Sequence, residues 1–97
     1  MLKVVYRPEA EAEILEAVHF YKSRVDNLGD RFLAAINDHV HDIASAPERF
    51  TRIGREVRQC VVRKYPFIIF FSAYQDHVRI LAVAHTSRNP HYWKRRK

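Results

Sequence analysis

The hydrophobic and polar positions of this chain change their period along its length, and each change marks an element. Leu2, Val4 and Tyr6 alternate with Lys3, Val5 and Arg7, the two-residue repeat of a strand, until Pro8 ends it. From Glu9 onward Ile14, Val18, Tyr21 and Val25 recur at i, i+4, i+7 and i+11, with Leu15 widening the stripe. This spacing predicts an amphipathic helix. Glu9, Glu11, Glu13 and Glu16 crowd its first turns, where carboxylates meet the positive end of the helix dipole. Asp26-Asn27-Leu28-Gly29-Asp30 supplies turn-forming residues, after which Phe32, Leu33, Ile36, Val40 and Ile43 rebuild a helical stripe as far as Pro47. Two helices joined by so short a loop predict an antiparallel hairpin.

The remainder reads as strands. Glu56–Lys64 alternates, Phe67–Phe71 is continuously apolar, and Arg79–Ala84 is mostly apolar again, with Tyr65-Pro66 and Gln75-Asp76-His77 as connections. Such short connections imply an antiparallel meander of three strands. The fold class is therefore α+β: an N-terminal strand, a two-helix hairpin packed on a mainly antiparallel sheet, the C-terminal meander and a short basic tail. An unbroken run such as Phe67–Phe71 needs cover on both faces, and a two-helix hairpin covers only one. The segment after Pro90 and a partner protein are both expected to cover the other.

With 97 residues, 47% of them hydrophobic, the chain has material for one core and is assigned one domain, residues 1–97. No apolar run reaches the ~18–20 residues that would cross a bilayer, and the N-terminus does not look like a signal peptide, so a soluble, cytoplasmic protein with no membrane contact is expected. A single cysteine, Cys60, suits a reducing compartment and burial as a small hydrophobe. The net charge of +6 is one-sided. Residues 1–56 carry 10 acids against 8 Lys/Arg, giving −2, and residues 57–97 carry one acid, Asp76, against 9 Lys/Arg, giving +8. A basic half favours an anionic partner: nucleic acid, an enzyme that works on it, or an acidic protein segment.

Standard enzyme signatures are missing. His39 and His41 stand two apart on a helix, about 200° around its axis, and cannot share an ion. His85 and His91 have no nearby Asp, Glu or Cys to complete a ligand set, so neither metal nor other cofactor is expected. Ser72 lies in a strand without a nucleophile-elbow pattern, Cys60 has no motif around it, and two glycines, Gly29 and Gly54, do not make a phosphate-cradling loop. Acid–base work on RNA would need a group to take a 2′-hydroxyl proton and cations for the phosphorane, for which His85, Arg88 and Tyr92 are the candidates. Read plainly, they are surface residues at the end of the last strand. The tail from Arg88 to Lys97 mixes aromatics with cations, a combination that anchors on acidic or nucleic-acid surfaces, while Tyr92 and Trp93 could equally cover the open sheet face.

The order strand, helix hairpin, meander and basic tail resembles the RelE/ParE toxin superfamily over essentially the whole chain. Leu28-Gly29-Asp30-Arg31-Phe32 is similar to the start of that family's second helix and Ala46-Pro47 to its end. Arg63-Lys64-Tyr65-Pro66-Phe67 resembles the entry to its central strand, and Leu81–His85 with Arg88-Asn89-Pro90-His91-Tyr92-Trp93 resembles its last strand and tail. The resemblance implies the toxin of a bacterial type II toxin–antitoxin pair, with either ribosome-dependent mRNA cleavage or poisoning of DNA gyrase as its activity. Where the RNA-cleaving members place basic residues and a tyrosine, this chain has Gln59, Val61, Ile68, Thr86 and Tyr92, and only the tyrosine is kept. The His-x-x-Arg-x-Pro-x-Tyr-Trp ending is closer to the ParE-like branch, which implies a gyrase-directed toxin that performs no covalent chemistry.

Under that reading Arg88, Tyr92, Trp93 and Arg95 meet the target, and replacing all four with alanine is expected to abolish toxicity while leaving folding intact. The alternatives are a ribonuclease acting on ribosome-bound mRNA through Arg63, His85, Arg88 and Tyr92, and a nontoxic module that only binds antitoxin. All three imply an acidic antitoxin, expected to be a ParD-like ribbon-helix-helix protein, that orders on binding and touches Leu15 and Phe20.

Overall fold

A computed structural model describes residues 1–89 and 91–96. Pro90 and Lys97, both within the basic tail, lie outside the described residues. Strand β1 (Lys3–Tyr6) leads directly into helix α1 (Pro8–Lys22), where Pro8 occupies the first turn and gives up no hydrogen bond that the helix needs. Glu9 and Glu11 sit in that first turn as the dipole favours. Helix α2 (Leu28–Ser45) starts after Asn27, which adopts the left-handed conformation at φ 68° that asparagine tolerates better than most residues. The two helices then cross closely at Gly29. A Cβ there would lie 2.9 Å from the Val18 carbonyl oxygen, so no larger residue fits without moving α1.

A short strand β2 (Thr51–Arg52) precedes the meander β3 (Arg58–Val61), β4 (Phe67–Ala73) and β5 (His77–His85). The strand order is β1-β5-β4-β3-β2, antiparallel except where β1 runs parallel to β5. Thus the N-terminal strand pairs with the last, a point periodicity leaves undetermined. Among the described residues no helix is long and apolar enough to cross a membrane.

The helix pair covers one sheet face. Ala10, Ile14 and Ala17 of α1 and Phe32, Ile36, Val40, Ile43 and Ala44 of α2 pack on Cys60, Ile69, Phe71, Val78, Ile80 and Val83. The α1 stripe therefore differs from its sequence reading. Val25 lies beyond the helix and is exposed, Leu15 points to solvent, and Ala10 and Ala17 join Ile14 at the buried positions. Leu33 is likewise part exposed, whereas His39 is buried. His39 is tied into this position: its Nδ1 lies 2.6 Å from the Ala35 carbonyl, and its Nε2 accepts the Arg63 N–H at 3.2 Å. His41, by contrast, is exposed, as helical geometry requires of residues two apart.

The opposite face carries a second, smaller core of Val57, Phe70, Leu81, Ala82, Ala84 and Trp93. A bulge creates part of it. Phe70 pairs with Ala82 and Phe71 with Ile80, so Leu81 is the extra residue, and Leu81 and Ala82 both serve this face. Trp93, only 3% exposed, stacks on Phe70 with ring centroids 4.9 Å apart, so the tail supplies the cover that Phe67–Phe71 demands.

Cys60 is buried in the main core, and burial pushes its thiol pKa up to about 11. At pH 8 only about 0.1% of it is thiolate, against roughly a quarter for a free cysteine. Alkylation by iodoacetamide is therefore expected to run at least ~100-fold slower in the native protein than in urea, a difference that mass spectrometry over a time course reads directly.

Candidate functional site

Strand β5 outruns its neighbour. Strand β1 ends at Tyr6, opposite Ile80, and the Arg7 N–H bonds the Ile80 carbonyl at 2.9 Å; beyond that point the outer edge of β5 has no strand beside it. An open edge leaves backbone groups that need partners. Two side chains provide them. Glu13 Oε1 of α1 accepts the Val83 N–H at 3.0 Å, and Arg96 Nη1 of the tail reaches the Leu81 carbonyl at 3.3 Å. The same Arg96 nitrogen donates to Glu13 Oε1 at 2.9 Å, and the Tyr92 hydroxyl donates to Glu13 Oε2 at 2.8 Å. Glu13 and Arg96 are both 16% exposed, so the pair is shielded enough for its charges to matter. One carboxylate thus joins the first helix, the last strand and the tail.

This junction decides what Tyr92 can do. Burial, then the hydrogen bond to Glu13 and its negative charge, raise the tyrosine pKa well above the ordinary value, against the smaller opposing pull of Arg96 and Arg88. Its hydroxyl stays protonated at neutral pH and is already committed as a donor. The Arg88 guanidinium lies 3.9 Å from the centroid of the Tyr92 ring and that of Arg96 lies 4.8 Å away, so the ring holds two cations in place. Arg88 and Arg95 are themselves exposed, whereas Trp93 is buried.

The other candidates fall in different places. His85 ends β5, exposed, and its Nδ1 accepts the Ser87 N–H at 3.1 Å with the Ser87 hydroxyl 2.8 Å away. With Arg88, Ser87 and Glu13 it borders a cleft of about 380 Å³ whose apolar wall is Ala17, Phe20, Tyr21, Phe67 and Val83. Arg63 lies instead beside His39, Asp42 and Cys60 in a separate cleft of about 470 Å³. Of the quartet Arg63, His85, Arg88 and Tyr92, Arg63 therefore lines one cleft, His85 and Arg88 line the other, and Tyr92 lines neither. Val61 and Ile68 face each other across β3 and β4, Gln59 pairs with Phe70, and Val61, 60% exposed, borders the Arg63 cleft together with Arg49 and Asp42. Leu15 and Phe20 are exposed on α1, at 62% and 53%.

Glu13 and Arg96 escaped the sequence reading. A signal for Glu13 existed: it stands three residues after Ala10 and four before Ala17, on the flank of the buried face. No pattern singles out Arg96 among the terminal cations, because its role depends on where the tail folds back.

Among solved structures the chain is similar to one titled "Chromosomal ParDE TA system from P. aeruginosa", with a TM-score of 0.65 and 16% identity over 88% of this chain and 96% of that one. At that identity the likeness establishes the fold. No curated protein matches the sequence. Residues 4–90 match the family described as the ParE toxin of type II toxin-antitoxin systems, parDE. The chain belongs to that family.

Proposed function

We propose that this toxin acts on DNA gyrase by binding alone, through the tail face built from Arg88, Tyr92, Trp93 and Arg95, and that an acidic ParD-like antitoxin neutralises it in the cytoplasm. The observation that carries the reading is the state of the residues that RNA cleavage would use. Val61 and Ile68, paired across β3 and β4, supply no charge to a phosphorane, the one cation of that strand pair, Arg58, donates to the Phe50 carbonyl at 2.7 Å, and the Tyr92 hydroxyl is neither ionised at neutral pH nor free of Glu13. What the tail does present is two exposed arginines, Arg88 held over the Tyr92 ring and Arg95 beside the buried Trp93 in sequence, which suits recognition of an acidic protein surface.

Induction in cells separates the readings. Growth arrest with accumulated gyrase-cleaved DNA and intact mRNA supports the proposal. Ribosome-dependent mRNA cleavage would transfer the activity to His85 and Arg88, and unaffected growth would leave only an antitoxin-binding module.

The antitoxin is assigned to the α1 side, where Leu15 and Phe20 expose apolar surface and Phe20 borders the 380 Å³ cleft. Exchanging both for glutamate removes two apolar anchors and adds repulsion toward an acidic segment. Antitoxin affinity, measured by calorimetry, is expected to fall at least ~100-fold, or ~2.7 kcal/mol, with thermal stability kept. Unchanged affinity would place the antitoxin elsewhere.

A further inference from the structure

Between the β2–β3 loop and the tail lies a cleft of about 410 Å³ lined by Ile53, Gly54, Arg55, Val57, His91, Trp93 and Lys94. Its chemistry differs from that of its neighbours. The clefts beside His39, Phe20 and Ser72 contain Asp42, Glu13 with Glu16, and Glu56 respectively, so their cations have local counter-charges. No carboxylate lines this one, and neither Arg55 nor Lys94 forms an ion pair among the described residues. Trp93, which lines the cleft, also keeps its Nε1–H buried with no acceptor among the described residues. A buried donor without a partner is uncommon enough to call for one. Ile53 and Val57 give the cleft an apolar side, and the loop is held by the Ile53 N–H to the Val57 carbonyl at 2.9 Å and by Arg52 Nη2 to the Arg55 carbonyl at 2.7 Å.

We propose that this cleft is a receptor for a single acidic side chain, a glutamate of the protein that the tail face meets. The methylenes would lie along Ile53 and Val57, and the carboxylate would take the charges of Arg55 and Lys94 together with the indole N–H of Trp93. An apolar side beside a cationic end fits a glutamate better than a nucleic-acid phosphate, which carries no apolar arm to place there. The proposal rests on the reading of the tail as a protein-binding face, but its test needs no target protein.

Trp93 is the only tryptophan, so its indole N–H gives one resonance in a 15N-labelled sample. The probe is glutamate blocked as N-acetyl and N-methylamide, with the matching glutamine compound and inorganic phosphate as comparisons. The indole resonance is expected to move saturably with the glutamate compound and not with the glutamine one. Gly54 offers a second arm, because a Cβ there meets nothing within 4 Å. Gly54→Glu should place a carboxylate in the cleft, shift the indole resonance without added compound and remove the response to the probe, while the remaining amide spectrum stays native. No response, an equal response to the glutamine compound, or a stronger one to phosphate would each overturn the proposal. Carboxylate binding by a protein that leaves gyrase unaffected would sink the target reading and leave the cleft standing.

Discussion

Replacing Trp93 with alanine is expected to cost about 3–5 kcal/mol of stability, the range for emptying a buried aromatic site. The residue is 3% exposed and stacks on Phe70, and it closes the core that Val57, Leu81, Ala82 and Ala84 form on the face away from the helices. A domain of this size has only about 5–15 kcal/mol in total, so the variant should lose a large share of it. Its urea midpoint should fall steeply, and exposure of the second core should make the chain prone to aggregate. Trp93→Phe, which keeps most of the ring and loses the indole N–H, should retain most of the stability. A midpoint unchanged by alanine would mean that the tail does not pack on the sheet in solution. The burial also corrects the expectation that four alanines at Arg88, Tyr92, Trp93 and Arg95 would spare folding. Two of those side chains, Tyr92 through Glu13 and Trp93 through Phe70, hold the tail in place, so that variant would lose toxicity for reasons of folding alone.

A cleaner test reverses charge where nothing is buried. Arg88→Glu combined with Arg95→Glu alters two exposed residues, of which only Arg88 has a packing role, over the Tyr92 ring. Losing that cation–π contact costs about 0.5–1 kcal/mol, and the rest of the fold should be undisturbed. Binding to an acidic surface should suffer far more. Each reversal replaces attraction with repulsion, and at ~1.4 kcal/mol or more apiece the pair should weaken gyrase binding at least ~100-fold and end growth inhibition. Surface plasmon resonance on immobilised gyrase, with thermal melting as a control, measures both quantities. A folded double variant with undiminished affinity would remove the tail from the interface.

Much of this fold is legible from period alone. The switch from a two-residue to a helical repeat at Pro8, the turn at Asp26–Asp30 and the apolar run Phe67–Phe71 locate the elements to within a few residues. The need to cover both faces of that run points to the tail from sequence alone, because it follows from counting layers. Errors arose where tertiary distance overrules local pattern. Leu15 and Val25 satisfy the helical period, yet the face of α1 turned to the sheet is that of Ala10, Ile14 and Ala17, and the helix ends before Val25. Strand β2, two residues long, is too short to produce any period, and the parallel pairing of β1 with β5 leaves no trace in sequence at all.

The candidate site was readable in part. Arg88, Tyr92 and Trp93 stand out because cations and aromatics alternate, but the sequence does not distinguish the buried anchor, Trp93, from the exposed contacts. Glu13 is about 80 residues from Tyr92 and Arg96, and their meeting depends on the tail returning across the sheet. The cleft of Ile53, Arg55 and Lys94 has the same origin: a loop and a tail made neighbours only by the meander between them.

The measurement that tests the central claim most directly is a DNA supercoiling and cleavage assay on purified gyrase, run with the toxin and with the antitoxin added back. Blocked supercoiling or accumulated cleavage complexes, reversed by antitoxin and absent with the Arg88→Glu, Arg95→Glu variant, is the expected result. Gyrase unaffected by saturating, folded toxin would contradict it.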